Sequence, residues 1–299
     1  MSRFSAIDLS QLAPPQLIET ISYESILAEQ KAWVVAQWDA LRVSRPDLPA
    51  LDTLGLETEP ITIILEVMAY RETLMRSLVN DKARAVLLAY AVGTDLDHLG
   101  ALYDVRRMSI ANPAGGAAFA ESDERYRRRI QLAPEAFSVA GPAGAYEFHA
   151  LSVSLDIADA HAFSPGDGRV TVVLAGNDGA EVSDDVLRAV FDKLDRDDVV
   201  PLTDQRSVVR AERVFYDVAL NLVIQRGPDP ATILRVAETS VRNYASSRYR
   251  IGSEMYGVGV TAAAKVGGVD DVIAAFPNIV CDDRQIPVLR GLALDKTII

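Results

Sequence analysis

The densest apolar pattern in the chain lies between Leu56 and Val105. Ile61, Ile64, Leu65, Met68 and Met75 recur near one face at helical spacing, and Ile63, Val67, Tyr70, Leu74 and Leu78 recur on a second. A helix that is apolar on two sides has to be covered from two sides. A small domain covers one side with its own helices; the other points to a second subunit. The pattern therefore predicts an assembly protein before it predicts an enzyme. Upstream, Tyr23, Ile26, Leu27, Trp33, Val34, Trp38 and Leu41 mark the apolar side of a helix from Ser22 to Leu41. Its aromatic stripe, Trp33 and Trp38, fits a core and an interface equally well. Pro14-Pro15 makes residues 1–20 an extended arm, because proline lacks a donor and biases its predecessor away from helix. Pro46, Pro49 and Gly55 mark a loop before the second helix. Thr58 is the expected N-cap of that helix, with Pro60 in its first turn. Gly93 is the expected stop, and Thr94 with Asp97 resembles a capping box for a short helix that follows.

Asn112-Pro113-Ala114-Gly115-Gly116 is a break in the pattern and the first expected domain boundary. A charged helix, Ser122 to Ala133, and another running from Gly141-Pro142-Ala143-Gly144 to Ser152 come next. The period then changes to that of strands. Ile157–Phe163 and Arg169–Leu174 flank the turn cluster Pro165-Gly166-Asp167-Gly168. Ser183 is placed to cap a helix reaching Leu194, and Arg206–Arg210 returns to strand. Val214, Tyr216, Val218, Leu220 and Leu222 alternate with Phe215, Asp217, Ala219 and Asn221, as a long half-buried strand would. A helix over Ala231–Tyr249 and a shorter one over Val258–Gly267 precede two runs, Val269–Phe276 and Ile279–Asp282, that read as a closing hairpin. The fold class is α+β: an N-terminal arm and helical region over 1–114, then two strand–helix–strand modules over 115–212 and 213–299.

Composition narrows the function classes. A chain of 299 residues with 49% hydrophobic and 24% charged residues is ordinary for a globular protein of two or three domains. No apolar run approaches the roughly 18 residues that span a bilayer. The N-terminal stretch has one Arg and no continuous apolar core, so no signal peptide is expected. A single cysteine, Cys281, excludes an intrachain disulfide and points to synthesis in a reducing cytosol. The net charge of −12 opposes general attraction to nucleic acid or anionic membrane.

Candidate chemistry is sparse. His98, His149 and His161 are scattered, with no metal-ligand spacing and no C-x-x-C, so no metal, cofactor or catalytic residue is expected. Cys281 sits in an apolar run, where a cysteine behaves as a small hydrophobe. Asp192, Asp195, Asp197 and Asp198 lack the glycine and distal glutamate of a calcium loop and read as a solvated helix end. Asp167-Gly168 and Asn177-Asp178-Gly179 are turn chemistry. No pair among the many carboxylates stands out as the acid and base of a hydrolase. The basic run Arg125, Arg127, Arg128 and Arg129 is the one feature with a sharp alternative, a nucleic-acid-binding helix. Only Tyr126 accompanies it, and Glu121, Asp123 and Glu124 lie just upstream. Salt bridges within or between subunits are favoured, since the planar guanidinium grips carboxylates in two places.

A series of short strings resembles the baseplate J-like proteins of contractile phage tails, phage-tail-like bacteriocins and injection systems. They are E-P at Glu59-Pro60, A-Y-R-E at Ala69–Glu72, V-N-D at Val79–Asp81, A-R-A-V at Ala83–Val86, L-A-Y-A at Leu88–Ala91, G-T-D-L-D at Gly93–Asp97 and L-Y-x-V at Leu102–Val105. Further along come E-S-D-E-R-Y-R-R-R-I at Glu121–Ile130, G-P-A-G-A-Y at Gly141–Tyr146, P-G-D-G-R-V at Pro165–Val170 and V-P-L-T-D at Val200–Asp204. The resemblance implies a structural wedge subunit, made in the bacterial cytoplasm and built into a tail baseplate. It implies two J-like copies with one tail-protein-I-like partner per wedge, and six wedges around the hub and tube. Contacts with a lysozyme-like baseplate subunit, which initiates the sheath, and with hub proteins follow from it. So does transmission of the contraction trigger to the sheath. No nucleic acid and no membrane is implied. The residues expected at interfaces are Trp33, Trp38, Ile64, Met68, Met75, Arg125, Arg128 and Arg129.

Overall fold

The computed structural model describes residues 9, 12–13, 21–110, 115–116, 118–138, 140–196, 199, 201, 204–227, 229–274 and 276–299. The chain divides into two compact units, one within Ile7–Leu99 and the other within Gly100–Ile299. The expected arm and the residues Asn112-Pro113-Ala114 fall largely or wholly outside the described residues, as do Asp197 and Asp198.

The first unit is built on an antiparallel helical hairpin. α1 (Tyr23–Ser44) starts where Ser22 turns extended and its hydroxyl accepts from Ser25 N–H at 3.3 Å. α2 (Pro60–Ala85) packs along it, and Gln30 donates to Glu72 across the pair at 2.9 Å. Glu59, rather than Thr58, holds the cap position of α2, and no side chain closes it. Pro60 in the first turn removes one donor that needs closing. α2 ends at Ala85 in a series of turns, well before Gly93. Gly93, at φ +54°, instead opens α3 (Gly93–Ala101).

In the second unit, β1 (Ser109–Ile110) and β2 (Phe119–Ala120) pair antiparallel and lead into α4 (Asp123–Leu132), which Ser122 caps by accepting from Arg125 N–H. α5 (Ala143–Leu151) follows. β3 (Ile157–Gly166) and β4 (Arg169–Gly176) form a hairpin whose turn places Asp167 and Gly168 at φ +57° and +69°. α6 (Asp184–Leu194), capped by Ser183, carries the chain to β5 (Gln205–Arg210), which lies parallel to β4. The sheet order is β3-β4-β5. One face buries Ala160, Ala162, Val172 and Leu174 against Leu132, Tyr146, Leu151, Val190 and Leu194.

After Ala211 the chain enters β6 (Glu212–Ile224). Tyr216, Val218, Leu220, Leu222 and Ile224 are buried in alternation, as the period-2 pattern predicts. α7 (Pro230–Ser247), capped by Asp229, covers this face. β7 (Glu254–Met255), α8 (Gly257–Ala264), β8 (Val269–Ala274), β9 (Ile279–Val280) and β10 (Gln285–Ile298) complete the module. Gly259 lets α8 lie against α7, since a Cβ there would stand 1.9 Å from the Tyr244 hydroxyl. The expected closing hairpin does not form. β8 pairs antiparallel with β6, and β9 pairs with β7. β10, fourteen residues long, pairs parallel to β6 on its other side, giving the order β10-β6-β8. A third cluster joins the modules: Val173 and Ala175, on the second face of β4, pack with Ile251, Ile286 and Val288.

Candidate assembly surface and arginine clasp

α1 covers only a strip of α2. Among the described residues, the buried positions of α2 are Thr62, Leu65 and Ala69, and those of α1 come down to Ile26. Both apolar faces expected on α2 stay largely open. Ile64, Met68 and Met75 on one face, and Val67, Tyr70, Leu74 and Leu78 on the other, are each about half exposed or more, with Met75 at 68%. Trp33 is 65% exposed. Trp38 is partly buried, and its indole N–H donates to the Pro49 carbonyl at 2.9 Å. Scattered exposed apolar residues are normal on a protein surface. A run of them along 26 residues of one helix is a continuous apolar surface that the hairpin itself leaves open.

The arginines of α4 sit elsewhere. Glu121 lies just before the helix with its side chain fully buried. One carboxylate oxygen takes Arg125 at i+4, and the other takes Arg129 Nη1 at 2.6 Å and Met108 N–H at 3.1 Å. Arg125 then reaches the carbonyls of Leu151 at 2.7 Å and Ser154 at 2.8 Å, closing the C-terminal end of α5. Arg129 extends to the carbonyl of Arg106. Arg128 is held by Asp159 of β3, whose second oxygen accepts the N–H of Ile251 at 2.7 Å. Burial pushes the Arg125 guanidinium down, with Glu121 acting in the opposite sense. Burial also opposes the charge on Arg128, but Asp159 outweighs it and the net shift is upward. Arg107 joins the cluster through Asp123 at 2.7 Å and lies 4.6 Å from the Tyr126 ring. The expectation that Arg125, Arg128 and Arg129 face a neighbour is thus replaced by an intrachain clasp. Their side chains are 14%, 21% and 5% exposed, and the groups a nucleic-acid reading needs are already engaged.

The remaining candidates separate cleanly. Among the described residues, no group of three or more metal-type side chains comes together, and no helix is long and apolar enough to cross a membrane. Asp195 ends α6 and accepts from Arg206 at 2.9 Å. Asp178 is at φ +50° in a turn, like Asp167. Cys281 is buried just after β9. Burial, with Asp282 assisting, pushes its thiol up to about 11. Only the thiolate attacks, so at pH 7.5 the native chain should resist a maleimide for hours, while the denatured chain reacts within minutes. Equal labelling of both would overturn this placement. Glu121 is visible beforehand only through its i, i+4 spacing to Arg125. Asp159 and Ile251 carry no sequence signal, because their contact spans 92 residues.

Over 288 residues the chain is 38% identical to baseplate protein J of Escherichia phage P2, covering 93% of this chain and 94% of that protein. The chain belongs to the baseplate J-like family. The model of the baseplate J-like N-terminal domain matches residues 57–114, a span that opens three residues before α2 and carries both of its apolar faces. The model of the baseplate J-like central domain matches residues 138–210, which run from just before α5 to the last residue of β5.

Proposed function

We propose that this chain is a structural baseplate subunit of a contractile tail or tail-like particle, working by protein contact rather than by turnover. The observation that carries the reading is the open, two-sided apolar surface of α2 with Trp33 beside it. One side serves a second copy of the chain and the other a tail-protein-I-like subunit, giving a two-to-one wedge. The modules over 115–212 and 213–299 then make the remaining contacts, towards neighbouring wedges, the hub and the lysozyme-like subunit that starts the sheath. Six such wedges form the ring that passes the contraction trigger to the sheath. Helical surfaces suit the first task because anchors at i, i+3 and i+4 enter a groove as one row. The test is coexpression with the neighbouring tail-protein-I-like product. Native mass spectrometry is expected to give a stable complex of two copies with one partner. A monodisperse, soluble monomer that ignores the neighbour would sink the wedge reading.

A further inference from the structure

His161 has a part in the second unit that the baseplate reading does not use. It lies on β3, two residues from Asp159 and therefore on the same side of the sheet. Only 4% of it is exposed. Both ring nitrogens face carboxylates: Nδ1 is 3.0 Å from Glu147 Oε1 of α5, and Nε2 is 3.3 Å from Asp283 Oδ1. Glu147 is itself buried and also accepts from the N–H of Ala162 at 3.4 Å. Asp283 is 64% exposed and sits two residues before β10. Its neighbour Arg284 lies 5.6 Å from the Phe163 ring, and that ring stacks on His161 at 6.0 Å and 23°.

The hydrogen-bond inventory of imidazole decides what this arrangement does. An imidazolium donates from both nitrogens, whereas neutral imidazole donates from one and presents a lone pair at the other. With carboxylates at both positions, only the protonated ring satisfies both contacts. The neutral ring keeps one and sets a lone pair against the other carboxylate. Glu147 is the contact that stays, because a lone pair turned on a buried carboxylate costs more than one turned on Asp283, which water reaches. The other charged groups around this face are Arg128, held by Asp159 and acting also on Glu147, and Arg284, which rests on Phe163. The Tyr249 phenol is raised by burial and donates to the Gly176 carbonyl, so it carries no charge here.

We propose that His161 is a proton-dependent latch between the middle module and the entry of β10: protonated, it ties Asp283 to β3, and on losing the proton it releases Asp283. The consequence is local. Ile286 and Val288 lie three and five residues after Asp283 and pack with Val173 and Ala175. The latch therefore controls the end of the strand that joins the two modules. The Asp159–Ile251 contact is held by a guanidinium and takes no part in the imidazole's hydrogen bonding.

Hydrogen exchange on the full-length chain at pH 5.5 and 8.5, corrected for intrinsic rates, tests this. Peptides covering 281–286 are expected to exchange about tenfold faster at the higher pH, while peptides covering 247–251, whose Ile251 N–H is held by Asp159, stay equally protected. His161→Gln should abolish the pH difference. Asp283→Ala removes an exposed side chain, so the fold is retained, and should leave 281–286 in the released state at both pH values. Equal corrected protection of 281–286 at both pH values in the unmodified chain would overturn the latch. So would a pH difference that survives in either variant.

Discussion

Replacing Glu121 with alanine is expected to destabilise the Gly100–Ile299 unit more than any other single carboxylate change. The side chain is fully buried and meets two guanidinium groups and a backbone N–H at once. Its removal leaves Arg125 and Arg129 inside the protein without their counter-charge, which costs about 3–5 kcal/mol. At about 2–4 °C per kcal/mol for a unit of this size, the midpoint of thermal unfolding falls by roughly 10 °C. Asp185→Ala is the matched control. Its contact with Arg188 at 3.8 Å joins side chains that are 95% and 73% exposed, and such pairs contribute about 0–1 kcal/mol. Charge reversal at Arg125, Arg128 and Arg129 together sets three new carboxylates beside Glu121 and Asp159, and should prevent this unit from folding. Differential scanning calorimetry of Glu121→Ala and Asp185→Ala side by side decides the matter. Equal midpoints would mean that the clasp contributes no more than a surface pair.

The elements that could be read from the sequence are those specified by neighbours in the chain. Ser122 and Ser183 announce α4 and α6 because a cap acts over three residues. The alternation of Tyr216, Val218, Leu220 and Leu222 announces β6 because one face is buried throughout. Pairing is a different kind of information. The pattern reading stops at Asp282 and omits β10, whose run Gln285–Ile298 contains Pro287 and Gly291 and slips register between Leu289 and Gly291. β8 and β9 both read as strands, yet each pairs with a partner outside the expected hairpin. The basic run of α4 shows the same limit at a site. Arg125 and Glu121 are one helical turn apart and their pairing is legible, whereas Arg128 finds Asp159 across 31 residues. The exposed faces of α2 were legible for the opposite reason: periodicity reports which residues are apolar, and the hairpin adds only one helix to cover them.

Those faces support the most direct test of assembly. Ile64, Met68 and Met75 are each more than half exposed, so changing all three to lysine removes almost no packing inside the chain. Surface changes of this kind usually alter stability by no more than about 0.5 kcal/mol each. The isolated protein should therefore keep its thermal midpoint and helical content. On the proposed wedge reading, the same positions are buried against a neighbour. Each lost apolar side chain forfeits about 1.5–3 kcal/mol, and each lysine adds the cost of desolvating an unpaired charge. Together these weaken the contact by at least about a thousandfold, since every 1.4 kcal/mol is tenfold. A second variant, with Val67, Leu74 and Leu78 changed to lysine, loads the other face. If one face serves a second copy and the other the tail-protein-I-like subunit, the two variants fail differently in native mass spectrometry. One retains a one-to-one complex, and the other retains only the paired copies. Intact two-to-one complexes in both variants would remove α2 from the interface, and with it the observation on which the wedge proposal rests.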